Sequence, residues 1–441
     1  MPAVPAGTPT PAPTTTRAPR STGRWFAVLV ALAVAGDALV YRFGNHHDFF
    51  DLRIYISALR WWAEGNPLYD YAQSDRVQGE LYFTYPPFAA LLLRPFAALP
   101  LGVTITAFTI GTLVAIAVTT RWLVIPLADR RGISRWWMVA LAVPLVVLIE
   151  PSRETINFGQ INMLLVVLIL ADLLFAVPRK SRWAGVGIGL ATALKLFPGI
   201  FIVYLLVTRR WRAAMTAAGA AAAATLLAAA FAPRDSWQFW THSLWATERV
   251  GRTDYTGNQS LQGLLSRLVA PEPPNRLIWL ALVALVLGYG LWRAGRAARA
   301  GDEVAALTLT GLVGALVSPI TWTHHIFWFV PALVVLADAA LPPPADRRAP
   351  LPPPADRRAA LDRRRRAALL ALATLVYVGI GYGVVSFHDW GAAPVPTDSP
   401  VEFVLRNVYV LLALALLVLL PVRGRHDAAE RDATPAPGAQ Q

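Results

Sequence analysis

Cysteine is absent from this 441-residue chain, so neither disulfides nor thiolate metal sites can form, and cysteine usage says nothing of the redox compartment. Charge is scarce as well. With 15% charged against 56% hydrophobic residues, the chain lacks the charge that a soluble protein of this size needs for its surface. Lysine is nearly missing, occurring only as Lys180 and Lys195, so the net charge of +13 is almost wholly an arginine charge. No nucleic-acid partner is implied, because the basic residues punctuate apolar runs instead of gathering on one folded face. Nucleotide motifs are missing too: there is no P-loop, no dinucleotide fingerprint and no Gly-x-Ser-x-Gly elbow in a fitting setting. That argues against a soluble nucleotide donor and for a substrate carried in the membrane.

What the chain has in abundance is apolar length. A helix needs about 20 apolar residues to cross a bilayer, and in lipid its backbone must be satisfied internally. The runs that qualify are 24–43, 101–125, 135–149, 160–177, a broken pair at 184–194 and 196–208, then 213–232, 276–293, 303–318, 322–340, 367–386 and 403–421. The reading is an all-α polytopic membrane protein of about twelve spans. Pro86 to Leu99 is too short to cross and reads as an interfacial or re-entrant helix. The Pro/Thr/Ala-rich residues 1–23 and the tail 423–441 read as disordered, with 24–422 forming one membrane domain. Arginines before the first run resemble a signal peptide, but no small-residue cleavage site precedes Tyr41, so an uncleaved anchor is expected.

Arginine placement gives an independent orientation. With the N-terminus in the cytoplasm, Arg130, Arg131 and Arg135 fall in one inner loop, Arg179, Lys180 and Arg182 in the next, and Arg209, Arg210 and Arg212 in a third. Arg293, Arg296 and Arg299 form a fourth, and the Pro/Arg-rich loop 341–366, with its tandem LPPPADRRA, a fifth. Both termini are then cytoplasmic, in a plasma-membrane protein. The outer face receives 44–85, 150–159, 233–275, 318–325 and 387–401, and the polar, motif-like residues lie in the first four.

In the first outer loop, Leu52, Ile54, Tyr55, Leu59 and Trp62 recur at a helical period, which predicts an amphipathic helix on the membrane surface. Asp51 at its start is either an N-cap, worth about 1 kcal/mol, or a general base toward a substrate hydroxyl. In EPSRETINFGQIN, Arg153 and the amides Gln160 and Asn162 serve either helix bridging or a polyhydroxylated ligand. Lys195 stands in an apolar stretch just before Pro198 and Gly199. An unpaired ammonium there costs about 2.5 to 3.5 kcal/mol, so it should face a cavity that takes phosphate, or pair with an acid such as Glu154 or Asp172. In SPITWTHHIFW, His324 and His325 point about 100 degrees apart if helical and cannot face one site alike; one of them suits phosphate binding or proton transfer. Asn258 and Gln259 in TDYTGNQSLQ are turn residues or further sugar ligands. These residues call for no metal or cofactor.

DLRIY at 51–55, G-x-PLY at 65–69, YPPF at 85–88, GQIN at 159–162, KLFP at 195–198, GNQSL at 257–261 and SPITWTHH at 318–325 together resemble glycosyltransferase family 87. These membrane enzymes of class C architecture are known from actinobacterial mannosyltransferases. The resemblance implies transfer of mannose from a polyprenyl-phosphate donor to a lipid-anchored glycan, of phosphatidylinositol mannoside or lipomannan type, on the outer face with inversion. It implies Asp51 as the base, with Asp48 as the competing carboxylate, and a role for His324 or His325. Lys195, His324 or His325 and, more weakly, Arg153 would then offset phosphate charge, while Gln160, Asn162, Asn258 and Gln259 hold sugar hydroxyls; Tyr85 of YPPF joins the substrate contacts. Two other readings stay open: an arabinofuranosyltransferase using polyprenyl-phosphate arabinose, and a lipid-linked sugar flippase or transporter.

Overall fold

The computed structural model describes residues 20–75, 79–341, 357–388, 391 and 393–423. In chain order the helices are α1 (Arg20–Phe43), α2 (Phe50–Ala63), α3 (Pro87–Ala97), α4 (Leu101–Arg131), α5 (Arg135–Leu148), α6 (Glu150–Asn157), α7 (Asn162–Ala171), α8 (Val186–Leu194) and α9 (Ile200–Val207). They continue as α10 (Trp211–Phe231), α11 (Pro233–Gln238), α12 (Leu261–Val269), α13 (Arg276–Arg299), α14 (Glu303–Val317), α15 (Phe329–Ala340), α16 (Arg357–Tyr382), α17 (Pro400–Arg406) and α18 (Val408–Leu419). Between α2 and α3, β1 (Ala72–Asp75) pairs antiparallel with β2 (Gly79–Tyr82), Ala72 opposite Tyr82 and Asp75 opposite Gly79.

Among the described residues, α1 from Gly23, α4, α10, α13 and α16 from Leu361 are each long and apolar enough to cross a bilayer. The pair α17 and α18, bent by 78°, makes a sixth such span if counted together. Six shorter apolar helices accompany them. The expected break at Lys195 is present: α8 ends at Leu194, Lys195 itself is extended, and a 3-10 turn at Phe197–Gly199 leads into α9. Pro86 to Leu99 forms α3, packed against α2, α8 and α10. Of the outlying segments, 1–19, 342–356 and 424–441 lie outside the described residues; α1 already begins at Arg20 and α16 at Arg357, inside the tail and loop expected from the sequence.

The amphipathic helix of the first outer loop is α2, but its stripe does not lie on lipid. Leu52, Ile54, Tyr55, Ile56 and Leu59 are buried against protein, chiefly α3, α4 and β2, so the helical period was legible while its partner was not.

At the centre, α14 is buried from Ala305 to Leu316, with α9, α13, α15 and α18 around it. Close approach elsewhere depends on small residues: a Cβ at Gly189 would meet the Ala217 carbonyl oxygen at 2.3 Å, so only glycine lets α8 reach α10. The helix ends sort by charge. Asp338 at the end of α15 gathers Arg130 and Arg131 from the end of α4, each at 2.8 Å, and Arg423 beyond α18. Glu303 at the start of α14 pairs with Arg210 at 2.5 Å. The opposite end of α14 leads to Ser318 and the two histidines, so the basic ends and the motif-bearing ends lie at opposite poles of this central helix.

Candidate active site

Asp51 is the second residue of α2, and its approach is strained. Asp48 and Phe49 adopt left-handed φ of 49° and 55°, which costs non-glycine residues on the order of 1 kcal/mol or more. Two backbone bonds hold them: the Phe49 N–H donates to Asn157 O at 2.8 Å and the Leu52 N–H to Phe158 O at 3.0 Å, locking the start of α2 onto the end of α6. Gly159 makes this docking possible. It has φ +69°, and a Cβ there would lie 2.6 Å from the Leu52 Cβ.

The cap reading of Asp51 is corrected here, because no side chain caps α2 and Phe49 occupies the N-cap position. The carboxylate instead accepts from Gln160 Nε2. Gln160 is oriented in turn by Tyr85, whose hydroxyl donates to its Oε1 at 2.6 Å. Burial pushes the Asp51 carboxyl up to about 6, against the Gln160 bond and the charge of Lys195. Asp48, the competing carboxylate, is 79% exposed and paired with Arg53 at 3.0 Å, although it borders the same cleft.

Among the described residues no acid forms an ion pair with Lys195. Its Nζ donates to Asn162 Oδ1 at 3.1 Å, stands 2.8 Å from His325 Nε2 and sits 5.1 Å over the Tyr85 ring. Asp172 accepts the Ile188 N–H at 2.8 Å, and Glu154 engages His47 and Ser386, so the acid pairing suggested for Lys195 is not found. Asn162 uses its other end on the His324 carbonyl at 2.9 Å, tying the lysine to the histidine turn.

The histidines divide as their geometry requires, with ring planes 88° apart. His324 borders the Asp51 cleft, and both of its ring nitrogens are buried without a hydrogen-bond partner. His325 turns its Nδ1 to the Trp322 N–H at 3.2 Å and its Nε2 to Lys195.

Three of the expected substrate contacts are structural instead. Asn258 accepts from the Thr321 N–H and donates to Thr253 O and Pro319 O. Gln259 donates to Thr256 O and Arg406 O and accepts from the Tyr409 N–H. Both amides are buried and brace the loop beside the histidine turn. Arg153 donates to Leu148 O, Gly381 O and Ser386 Oγ, committed to the ends of α5 and α16 and not to any space beside Lys195.

Sequence reasoning passed over two groups. His47 stacks on Phe158 at 4.2 Å, lines the Asp51 cleft and pairs through Nε2 with Glu154 at 2.9 Å. Burial alone would lower its pKa, but the bond and charge of Glu154 raise it above the ordinary value. Arg249 sits 4.0 Å over Tyr82 and shares a cavity with Lys195; the 3-10 turn that carries it has no sequence motif. His47 lay in plain view within HHDFFDL, where only its partner Glu154, a hundred residues away, reveals a role.

Three spaces adjoin. A cleft of about 370 Å³ holds Asp51, His47, His324, Tyr255 and Trp322. A cavity of about 250 Å³ is walled by Phe83, Leu196, Phe197, Phe239, Leu244 and Pro319, with Lys195, Arg249 and His325 as its cations and imidazole. Between them, about 70 Å³ is bounded by Asp51, Gln160, Lys195, Arg249 and His325. One carboxylate thus stands where a polar cleft meets an apolar cavity that carries two basic side chains.

The model of glycosyltransferase family 87 matches residues 83–319. A Mycobacterium tuberculosis protein described as a polyprenol-phosphate-mannose-dependent alpha-(1-2)-phosphatidylinositol mannoside mannosyltransferase is 35% identical over 71% of this chain and 76% of its own length. Its Mycolicibacterium smegmatis counterpart, of the same description, is 37% identical over 65% and 69%. A more distant Mycobacterium tuberculosis relative, an alpha-(1->3)-arabinofuranosyltransferase, is 27% identical over 59% and 58%. No solved structure matches.

Proposed function

Because the chain belongs to glycosyltransferase family 87, we propose that it moves mannose from polyprenyl-phosphate mannose to a phosphatidylinositol-mannoside-type acceptor, forming an alpha-1,2 linkage. It is a membrane glycosyltransferase. The single observation that carries the substrate reading is the meeting of two unlike spaces at Asp51. The apolar cavity with Lys195 and Arg249 suits an isoprenoid phosphate, and the polar cleft suits a glycan hydroxyl.

In the proposed step Asp51 takes the proton of the acceptor hydroxyl, and that oxygen attacks the anomeric carbon of a beta-linked mannosyl phosphate in line. The bond from the anomeric carbon to the phosphate oxygen breaks, and polyprenyl phosphate leaves with its electron pair. Inversion yields the alpha product. Lys195, held by Asn162 and flanked by His325, offsets charge on the departing phosphate, with Arg249 assisting. His324, which lines the cleft and has both ring nitrogens buried without a partner, is a candidate hydrogen-bonding group for substrate hydroxyls or phosphate. Most of the activation is positional, because phosphate is already a good leaving group.

The arginine distribution supports an orientation with both termini in the cytoplasm and this site on the outer face, reached by about twelve membrane segments. The test is transfer by membranes carrying the full chain, supplied with radiolabelled polyprenyl-phosphate mannose or polyprenyl-phosphate arabinose and a phosphatidylinositol mannoside. Labelled glycolipid that withstands the mild acid that hydrolyses the sugar phosphate donor is expected with the mannose donor alone. Labelling with arabinose alone overturns the donor, and no labelling with either overturns the function.

A further inference from the structure

Beside the Asp51 cleft, and sharing His46 with it, a separate cavity of about 80 Å³ lies between α1, α6 and the segment at Ser386. Asp37, Tyr41, Asn45, Arg153, Glu154 and Asn157 are among its lining residues. Asp37 is the anomaly. It lies well inside α1, a helix apolar enough to cross a bilayer, yet its Oδ1 is buried without a hydrogen-bond partner. An acid in such a helix is costly unless a polar group meets it. Arg153, in the same cavity wall, lends its charge but no hydrogen bond to this oxygen, donating instead to Leu148 O, Gly381 O and Ser386 Oγ. Glu154 joins this cavity to the catalytic cleft: Oε1 accepts from Ser386 Oγ at 3.0 Å, while Oε2 faces His47 at 2.9 Å.

We infer that this cavity is a second acceptor subsite, binding a sugar or cyclitol ring of the acceptor that does not itself react. The inference rests on the proposed function and deepens it. Two carboxylates and one arginine line the space, and that arginine's hydrogen bonds go to Leu148 O, Gly381 O and Ser386 Oγ, so an anionic phosphodiester meets a net negative wall and a neutral polyol is favoured. Ring hydroxyls donate to Asp37 and to the amide oxygens of Asn45 and Asn157, and Tyr41, packed edge-on to His46 at 5.0 Å, offers a ring face to the sugar. Reaching from this subsite to Asp51 requires an acceptor of at least two rings, one held while the other reacts.

The experiment compares Asp37→Leu and Asp37→Asn with wild type in the full-length protein, using polyprenyl-phosphate mannose and two acceptors: a phosphatidylinositol mannoside and octyl alpha-mannoside, which has only one ring. The expected result is at least a tenfold fall in the ratio of kcat/KM for the glycolipid over that for octyl mannoside, through KM, with the KM for donor unmoved. Equal changes for both acceptors, no change for either, or failure of both variants to accumulate overturns the subsite and makes Asp37 a folding residue. Wild type inactive on both acceptors fails the proposed function; active wild type with an unmoved ratio fails only this inference.

Discussion

His47 Nε2 stands 2.9 Å from Oε2 of Glu154, and the same imidazole stacks on Phe158 at the edge of the cleft that holds Asp51. The pair keeps a positive charge available beside a buried carboxylate, and that charge lowers the pKa of Asp51. His47→Gln removes this imidazolium and leaves the Glu154 carboxylate, whose charge itself raises the Asp51 pKa, so Asp51 loses a stabilising neighbour. The acid limb of kcat/KM against pH is expected to move to higher pH in this variant, while the protein still accumulates. An unmoved limb separates His47 from the ionisation of Asp51.

Asp51 itself sets that limb. Its folded pKa of about 6 lies above its ordinary value of 3.8, so the base is ionised above about pH 6, and kcat/KM should fall about tenfold per pH unit below it. The sign for stability is opposite to the usual carboxylate. The folded state holds the proton more tightly than the unfolded chain, so between about pH 4 and 6 rising pH removes stability. Asp51→Asn, which cannot ionise, is expected to lose at least about a thousandfold in transfer while its Tm at pH 7 stays equal or rises. A variant with wild-type turnover removes Asp51 as base.

Lys195→Met and Arg249→Gln test the donor cavity. Each removes a basic side chain from a largely apolar cavity, so the KM for polyprenyl-phosphate mannose should rise by about tenfold or more. The acceptor KM is expected to stay within about twofold. Steady-state kinetics with each substrate varied in turn separate the two, and a rise confined to the acceptor assigns these cations elsewhere.

Gly159→Ala probes the docking of α2 on α6. The new Cβ collides with Leu52 at a position of φ +69°, which costs about 1 to 3 kcal/mol. Reduced thermal stability and at least a tenfold loss of kcat are expected, because the shift falls on the residue next to Asp51. Thermal unfolding in detergent and single-turnover transfer measure the two effects; an unshifted Tm means that α2 does not depend on this contact.

Asn258→Ala should behave in the opposite manner. Its amide closes the loop onto Thr253, Pro319 and Thr321, so its loss leaves buried partners unsatisfied and costs about 1 to 3 kcal/mol. A lower Tm with an unchanged acceptor KM in the folded fraction is expected. A raised acceptor KM at unchanged Tm restores Asn258 to the sugar site.

The break before KLFP was legible because a lysine, a proline and a glycine interrupt an apolar stretch within five residues, and chain chemistry alone forbids a regular lipid-facing helix there. The α2 period was legible for the same local reason. What α2 packs against was not, since its stripe fits lipid and protein equally well until α3 and β2 cover it. The amides show the same limit from the other side. Gln160, Asn162, Asn258 and Gln259 are alike in sequence, yet Gln160 and Asn162 orient Asp51 and Lys195, whereas Asn258 and Gln259 bind backbone groups of a buried loop. Residue type gives hydrogen-bonding capacity, and only the fold decides where it is used.

By itself the sequence determined that this is a membrane chain with its basic residues at one set of helix ends, because hydropathy and arginine spacing are properties of short segments that lipid and the membrane surface read directly. Ordered motifs spread along the chain determined the family resemblance in the same local way. Only the tertiary structure decided that Lys195 meets His325 and Asn162, that His324 and His325 face different spaces, and that His47 and Glu154 stand behind Asp51. These depend on contacts between separate segments, 33 residues apart for Asn162 and Lys195 and 130 for Lys195 and His325, and no local pattern encodes which of many equally polar partners the packed helices bring within reach.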